Sequence, residues 1–254
     1  MITTYHRPQT IDEAMVLISR PDTKTFPLGG GTFLSHPQLE VIEVVDLQAL
    51  SLNQIKKVGN NLEIGATSTL QHLLEIKEFP NAFHAALKLE ASLNIRNAAT
   101  IAGTIVASDG RSPFTTAMLA LDAKCIIQPN DQELQIGNLL PLRKSLLRGK
   151  LITRIIIPGN TRVAFHFISR TPSDKPIVCM ALVQWPSGRT RLALGGYGNT
   201  PFLAMDGTET TGLEEASRNA FSNASDSWAS AEYRQKVAPI LAKRCLTTIN
   251  LTNP

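Results

Sequence analysis

Three consecutive glycines, Gly29 to Gly31, place the strongest constraint on the fold of this chain. They follow the stretch Lys24–Leu28 and precede the β-branched stretch Val41–Leu47, which predicts two short strands flanking a glycine loop. Residues without a Cβ accept positive φ and let successive backbone N–H groups converge on an anion, and Thr32 adds a hydroxyl donor. The loop is therefore either a phosphate cradle or a flexible turn, and it matches neither a Walker A motif nor a G-x-G-x-x-G fingerprint.

A second loop rich in small residues lies further along the chain, in the segment Asn94–Thr104, which ends in Thr100-Ile101-Ala102-Gly103-Thr104. Its two threonines offer hydroxyl donors around one glycine, and small side chains allow a close backbone approach. The nearby Arg96 is suited to complement an acidic group. Together, the two loops are suited to hold the two ends of a pyrophosphate.

The rest of the chain shows strand-and-helix alternation, then strands followed by helices. A capping box at Thr10–Glu13 predicts a helix from about residue 11, and Ser230 caps a closing helix that Pro239 is expected to kink or break. The turn cluster Pro158–Asn160 is a candidate domain boundary. Other helices are predicted from residue 67 or 68 to about 78, over 81–93 and ending at 118–122. Further strands are predicted at 62–64, 101–107, 124–128, 152–157, 163–168, 177–185 and 191–194.

Composition excludes several classes of protein. The chain has 43% hydrophobic and 18% charged residues and a net charge of +4, values that exclude a disordered tail protein. There is no basic-aromatic clustering typical of nucleic-acid binding, no membrane span and no signal-peptide pattern, so we expect a cytoplasmic protein. The densest basic stretch, from Arg143 to Arg154, is either a solvated face or a contact for an acidic partner or a phosphate.

Cysteine and histidine positions argue against a metal centre in this chain. Cys125, Cys179 and Cys245 are far apart in apolar stretches, where such residues usually act as small buried hydrophobes. An iron–sulfur cluster needs about four thiolates. The histidines show no metal-ligand spacing, so no metal site is expected.

Several ordered motifs resemble the FAD-binding subunit of molybdenum hydroxylases, a family that includes the carbon monoxide dehydrogenase medium subunit and the xanthine dehydrogenase flavin domain. The resemblance covers nearly the whole chain. The motifs are Gly29–Thr32, Ile64–Thr69, Ile95–Thr104, Ser108-Asp109, Leu119–Ala123, Leu192–Gly196 with Thr200-Pro201, and Ser230–Arg234.

The resemblance implies an α+β fold with non-covalently bound FAD. An FAD-binding portion of the PCMH or vanillyl-alcohol-oxidase-like type is expected over residues 1–160, with subdomains of about 1–55 and 56–160. A C-terminal domain with a three-stranded antiparallel sheet and helices is expected over 161–254. The cofactor-binding residues carried over from the family are Gly29, Gly30, Gly31, Thr32, Phe33, Leu34, Thr100, Ala102, Gly103, Thr104, Asp109 and Leu147.

The implied function is electron transfer within a molybdenum hydroxylase complex. Such a subunit takes electrons from iron–sulfur clusters onto FAD and passes them to NAD or another acceptor. Its partners are a molybdopterin-binding large subunit and a 2Fe–2S small subunit. No catalytic acid, base or nucleophile is expected, since His36 fits a turn and Asp46 fits a strand end.

Four positions depart from the family pattern. Ala102 replaces a glycine, Thr104 an Asn or Ser, Pro113 a second acidic residue near FAD, and Pro176 a flavin-side lysine of some members. These departures leave open an alternative: a flavin-poor, non-catalytic docking subunit of the same architecture. A stand-alone oxidase with covalent FAD is disfavoured, because neither loop contains a His or Cys.

Overall fold

A computed structural model of the protein describes residues 1–37, 40–76 and 81–251. The strands are β1 (Ile2–His6), β2 (Thr25–Leu28), β3 (Ile42–Asp46), β4 (Ile55–Val58), β5 (Asn61–Gly65), β6 (Lys124–Gln128), β7 (Gln132–Gln135), β8 (Leu151–Pro158), β9 (Arg162–Ile168), β10 (Val178–Gln184), β11 (Thr190–Gly195) and β12 (Phe202–Gly207). The helices are α1 (Ile11–Ile18), α2 (Leu70–Leu74), α3 (Asn81–Glu90), α4 (Leu93–Ala98), α5 (Ile101–Ala107), α6 (Pro113–Ala120), α7 (Ile136–Leu146), α8 (Leu213–Asn219) and α9 (Ala231–Leu251), with a short 3-10 turn at Gln48–Leu50.

The chain forms two compact units that interleave along the sequence. The described residues of Met1–Glu75, Leu93–Ala107 and Lys124–Ile157 make the first unit. The second unit contains those of Ile76–Ser92 and Ser108–Ala123, together with the chain from Pro158 onward. The division into domains at 1–160 and 161–254 stays a prediction.

The first unit begins with a three-stranded parallel sheet in the order β1-β3-β2. The predicted capping box precedes α1, where Thr10 Oγ1 accepts from Glu13 N at 3.2 Å and Glu13 Oε2 accepts from Gln9 N at 2.8 Å. Buried apolar side chains of α1 and β3 pack together with those of neighbouring segments. The members of this core are Ala14, Ile18, Val45, Leu47, Leu50 and Leu151.

A five-stranded sheet in the order β4-β5-β8-β6-β7 completes the strands of the first unit. The segment 101–107, predicted as a strand, is the helix α5, so that prediction is wrong. Its β-branched residues favour a strand locally. However, Thr100 caps the helix by accepting from Gly103 N, and Ile101 and Ile105 are both buried on one helical face.

The second unit contains a four-stranded antiparallel sheet in the order β12-β11-β10-β9. A three-stranded sheet was expected, and the additional strand is β12. This edge strand is only half-buried, and its register with β11 shifts between Leu192 and Ala193, so its residues 202–207 lack a clean strand pattern.

Helices cover the sheet of the second unit on both faces. Met180 packs in one apolar cluster with Leu241 and Cys245 of α9. The preceding residue of the strand, Cys179, has its Sγ 3.6 Å from Thr116 Oγ1 of α6. Because both faces are covered, β10 is a nearly continuous apolar run and not an alternating one.

The closing helix α9 starts as predicted, with Ser230 Oγ accepting from Tyr233 N at 3.2 Å. It continues through Pro239 as one element, so the helix does not break there, and the alternative of a kink stays a prediction. Its Arg234 is fully buried and forms an ion pair with Asp226 at 2.9 Å. The same guanidinium donates to four backbone carbonyls, those of Ile177, Gly196, Ala224 and Ala229.

The described part of the chain contains neither a membrane-spanning helix nor a cluster of metal-ligating side chains. No helix there is both long and apolar enough to cross a membrane. Over the same ranges, no three His, Cys, Asp or Glu side chains are grouped as metal ligands would be.

Candidate functional site

The glycine loop lies at the carboxyl end of the parallel sheet in the first unit. β2 ends at Leu28, which pairs in register with Asp46, the last residue of β3. Ligands of open parallel sheets bind beyond the carboxyl ends of the strands. The polypeptide turns there through Gly31, whose φ is 71°, a left-handed conformation that favours glycine.

The two predicted loops are in direct contact within the first unit. A Cβ added to Gly29 would lie 2.7 Å from Thr100 Oγ1, and one added to Gly30 would lie 1.5 Å from Ala98 O. Both distances are shorter than any real Cβ contact. Gly29 and Gly30 are therefore required by the approach of the second loop, and Gly31 by its backbone conformation.

The first loop presents a row of vacant donors. Over the ranges that the structure describes, the backbone N–H groups of residues 29–34 and the Thr32 hydroxyl form no hydrogen bond. The carbonyl oxygens of the loop are used, since Gly31 O accepts from Ser35 N at 2.9 Å and Phe33 O from His36 N at 3.3 Å. Successive backbone N–H groups in a turn can bind an anion where they converge.

The second loop has the same small-residue composition but no vacant donors at the start of α5. Each of its first four N–H groups is already bonded inside the first unit. These bonds are Ile101 N to Ser68 O at 2.9 Å, Ala102 N to Ala66 O at 3.2 Å, Gly103 N to Thr100 Oγ1 at 3.2 Å, and Thr104 N to Thr100 O at 2.8 Å. The second loop therefore supports the first loop and offers a ligand little of its own backbone.

The methyl group of Ala102 meets no backbone obstacle. Ala102 is the second residue of α5, and it is not among the described non-glycine residues with positive φ. It is half-buried, and its neighbour Gly103 is exposed. The replacement of a family glycine by alanine at this position is compatible with the helix.

Phe33 is an exposed aromatic residue among the predicted contact residues of the glycine loop. Its side chain is 58% exposed, while Thr32 and Leu34 are half-buried. An exposed aromatic ring next to an anion-binding turn is suited to pack on a planar ring of a nucleotide.

Asp109 lies in the second unit, where it is bonded by the backbone N–H of Arg111 and by the side chain of Lys175. Its Oδ1 accepts from Arg111 N at 3.0 Å, and its Oδ2 is 3.1 Å from Lys175 Nζ. Arg111 also donates to the carbonyl oxygens of Lys175 and Pro176, at 2.7 and 3.1 Å. Its guanidinium stacks on the Trp228 ring at 3.8 Å. The side chain of Lys175 therefore lies beside Asp109. In the chain it is one residue before Pro176, the position that corresponds to a flavin-side lysine in some members of the family that this sequence resembles.

Pro113 occupies the first turn of α6, where its missing N–H costs nothing. A carboxylate is nevertheless present at this point, because Glu90 Oε2 accepts from Phe114 N at 3.0 Å and from Ser112 Oγ at 2.7 Å. Neither Glu90 nor Lys175 was predicted as a site residue. The only sequence signal for Lys175 is its position next to Pro176, and Glu90 reaches α6 from a separate helix.

Leu147 lies at the C-terminal end of α7, where its N–H donates to Arg143 O at 3.0 Å. The side chain is half-buried. Gly149, two residues further along, has a φ of 69° and packs against Ser19 after α1. No hydrogen bond in the described ranges connects Leu147 with the two loops, so its role near a cofactor stays a prediction.

The residues predicted to be structural have structural contacts. Asp46 is buried at the end of β3, accepts from Gln48 N at 3.0 Å and is bonded by the Tyr5 hydroxyl, which raises the pKa of Tyr5. The three cysteines are buried and unpaired, and burial raises the pKa of each thiol to about 12. Such thiols are poor nucleophiles.

Comparison with known proteins identifies a matching family and several similar chains. Residues 1–160 match the family described as the FAD binding domain in molybdopterin dehydrogenase. The protein YgfM of Escherichia coli strain K12 is 29% identical over 248 residues, which cover 95% of this chain and 94% of YgfM. The carbon monoxide dehydrogenase medium chain of Afipia carboxidovorans is 26% identical over 281 aligned positions, covering 95% and 94% of the two chains.

A solved structure shows the same fold. Reconstituted carbon monoxide dehydrogenase from Oligotropha carboxidovorans contains a chain that matches with a TM-score of 0.83 at 23% identity, and both chains are covered over 100% of their length.

Proposed function

The chain belongs to the family of FAD-binding domains in molybdopterin dehydrogenases, and from that premise we propose that it is the electron-transfer subunit of a molybdenum hydroxylase complex. The observation that supports this proposal best is the row of vacant N–H donors at residues 29–34. A pyrophosphate carries the negative charge that such a row binds. The vacant N–H donors are therefore suited to bind the pyrophosphate group of FAD.

The binding residues divide into two groups under this proposal. Gly29, Gly30, Gly31 and Thr32 would hold the pyrophosphate, with Phe33 and Leu34 packing on adjoining groups of FAD. Thr100, Ala102, Gly103 and Thr104 would support that loop and line the cofactor, and Asp109 and Leu147 would contact it elsewhere. Bound FAD supplies the redox chemistry, because it accepts electrons singly or in pairs, while the protein binds and orients it.

The proposed partners follow from the relatives. Carbon monoxide dehydrogenase from Afipia carboxidovorans has a medium chain similar to this one. We infer a molybdopterin-binding large subunit and a 2Fe–2S small subunit for this chain, with electrons leaving FAD for NAD or another acceptor. The buried, unpaired cysteines are consistent with iron–sulfur clusters held by a partner.

A titration of the full chain with FAD tests the proposal. A ligand that binds only the folded state stabilises it by about 2.7 kcal/mol at a hundredfold excess over Kd, a rise in Tm of roughly 5–10 °C for a chain of this size. Gly31→Ala should lower FAD affinity about tenfold, since a Cβ at positive φ strains the loop by about 1–2 kcal/mol. Gly207→Ala is the matched control, because no atom lies within 4 Å of the added Cβ.

The same titration distinguishes the flavin-poor docking subunit. That alternative predicts no rise in Tm and no flavin absorption in purified protein. If Gly31→Ala binds FAD with the same affinity as the wild-type chain, the glycine loop is not part of the FAD-binding site.

A further inference from the structure

The densest basic stretch of the sequence, from Arg143 to Arg154, lies in the first unit, at the end of α7 and in the segment that follows it. The sequence around it is one-sided in charge. Residues 134–173 contain seven lysines and arginines and no aspartate or glutamate. Any acidic side chain that neutralises this stretch must therefore come from another segment or from another molecule.

Other segments of the first unit neutralise only part of this charge. Arg154 Nε lies 3.7 Å from Glu63 Oε2, and Arg154 Nη1 lies 3.8 Å from Asp131 Oδ1. Lys144 and Arg148 are both exposed, and neither side chain has an ion pair or a hydrogen bond within the described ranges. Two positive charges without a counter-charge in the described structure therefore remain at the C-terminal end of α7.

These two cations belong to a continuous exposed face of α7. The buried residues Ile136, Leu139 and Leu140 occupy one side of the helix. At about 3.6 residues per turn, the exposed residues fall together on the opposite side. They form what is here called the basic face, which consists of Pro141, Leu142, Lys144, Ser145 and Arg148. The apolar side chain within it, Leu142, is 57% exposed.

Backbone contacts fix the end of the basic face. Leu147 N donates to Arg143 O at 3.0 Å, and Lys150 N donates to Leu147 O at 3.1 Å. Gly149 turns the chain there with a φ of 69° and packs against Ser19. A surface that is ordered before binding loses less conformational entropy when a partner binds.

The chemistry of the basic face fits an acidic protein surface better than a small anion or a nucleic acid. The C-terminal end of a helix is the negative pole of its macrodipole, which repels a phosphate close to the backbone, whereas long cationic side chains carry their charges away from it. Residues 134–164 contain no aromatic side chain on which a base could stack. An exposed leucine bordered by cations is suited to a protein interface, in which apolar contacts are surrounded by polar ones.

We propose that the basic face of α7 binds a carboxylate-rich surface on a partner subunit of the molybdenum hydroxylase complex. Lys144 and Arg148 pair with aspartate or glutamate side chains of the partner, and Leu142 packs on an apolar side chain between them. This inference rests on the proposed function, because the partner is a subunit of the proposed complex. It adds the surface of this chain that the partner contacts and the charge of the partner's surface.

A purely structural role is the competing explanation, because cations in the last turn stabilise a helix through its macrodipole. The double variant Lys144→Glu/Arg148→Glu reverses the charge of the basic face. Lys243→Glu/Arg244→Glu is the matched control, since it makes the same two substitutions at exposed positions of another helix, α9. A structural role predicts a lower Tm of the isolated chain with no change in its affinity for partner subunits.

The first measurement is chemical cross-linking of the native complex with a carbodiimide, which joins an amine directly to a carboxylate. Mass spectrometry should find Lys144 Nζ linked to an aspartate or glutamate of a partner subunit. Lys144→Arg keeps the charge but has no amine, so the complex should assemble and the cross-link should be absent. A wild-type complex in which Lys144 forms no cross-link to a partner carboxylate overturns the proposal.

The second measurement is the affinity of the full chain for the separated partner subunits at several salt concentrations. Lys144→Glu/Arg148→Glu should raise Kd by about tenfold or more at low salt, and this effect should shrink as the Debye length falls to about 8 Å near physiological ionic strength. The control should stay within about twofold of the wild type. Equal losses in the two double variants, or a loss that does not depend on salt, contradict the proposal.

A nucleic-acid ligand is tested in the same way with a single-stranded oligonucleotide. Binding of the oligonucleotide that Lys144→Glu/Arg148→Glu abolishes, together with unchanged affinity of this variant for the partner subunits, replaces the proposed partner by a nucleic acid.

Failure of the proposed function is seen separately. A wild-type chain that binds no FAD and is purified without partner subunits contradicts the proposed function. A chain that binds FAD, and whose Lys144→Glu/Arg148→Glu variant assembles with its partners as the wild type does, contradicts only the role of the basic face.

Discussion

The two loops of the candidate site have similar composition but opposite hydrogen-bonding states. In the loop at residues 29–34 the N–H groups have no acceptors in the described structure, whereas the first four N–H groups of α5 are all bonded to Ala66, Ser68 and Thr100. Glycines and threonines alone do not distinguish a ligand-binding loop from a supporting one. The distinction depends on which backbone donors the fold already uses.

The difference has a structural origin in the way the chain enters each loop. The first loop leaves the open end of a parallel strand and turns at Gly31, and its N–H groups donate no hydrogen bond to the strands and helices described around it. The second loop enters a helix that is packed against residues 66–69, with an isolated bridge between Thr69 and Thr100. Its donors are used to join two segments of the first unit.

The largest effect is expected from Gly30→Ala, which would disrupt the contact between the two loops. The added Cβ would lie 1.5 Å from Ala98 O, a backbone atom that cannot move away as a side-chain end could. We expect a loss of stability of about 3 kcal/mol or more, seen as a drop in Tm of roughly 6–12 °C or as failure to fold, together with loss of FAD binding.

Gly207→Ala controls for the substitution itself, because its Cβ would meet no atom within 4 Å. Both Tm and FAD affinity should stay near the wild-type values in this control. A Gly30→Ala chain with wild-type Tm would show that the two loops are not in contact in solution, and the comparison between them would lose its structural basis.

Local signals in the sequence predicted local structure well. The capping box at Thr10, the cap at Ser230 and the strands on either side of the glycine loop are determined by neighbouring residues, and the structure contains them. The helix α5 was mistaken for a strand because β-branched residues dominate it, while its cap and its packing partners lie outside the segment. The helix expected to extend to about residue 78 ends at Leu74, and residues 77 and 78 lie outside the described ranges.

Prediction of the candidate site was limited in the same way, because only its local features could be inferred from the sequence. The sequence predicted the two loops and their possible partnership, and the structure places them in contact. The Asp109–Lys175 pair and the position of Glu90 beside α6 depend on contacts between segments far apart in the chain. Such contacts follow from the packing of the second unit, which no local pattern encodes. For the same reason β12 was missed as the fourth strand of the C-terminal sheet.

A medium effect is expected from Thr100→Val, which tests the supporting role of the second loop. The substitution removes the hydroxyl that caps α5 through Gly103 N. Loss of such a cap costs about 1 kcal/mol, or roughly 2–4 °C in Tm. FAD affinity should change less than it does in Gly31→Ala, because the vacant donors of the first loop remain.

Thr100→Ser retains the hydroxyl and should restore most of the stability. If Thr100→Val instead weakens FAD binding by more than Gly31→Ala while Tm stays unchanged, the second loop binds the cofactor directly and the assignment of roles is reversed.

The smallest effect is expected from Ala102→Gly, which restores the residue usual in the family. Ala102 is helical, so glycine should destabilise α5 by about 1 kcal/mol or less and lower Tm by a few degrees. FAD affinity should remain within about twofold of the wild type, a difference of roughly 0.4 kcal/mol, because the methyl group does not obstruct the vacant donors of the first loop. Ala107→Gly, at the exposed end of the same helix, should cost less stability and leave affinity unchanged. An increase in affinity of tenfold or more in Ala102→Gly, with no change in Ala107→Gly, would mean that the methyl group of Ala102 excludes FAD. The flavin-poor docking subunit would then be the better description of the native chain.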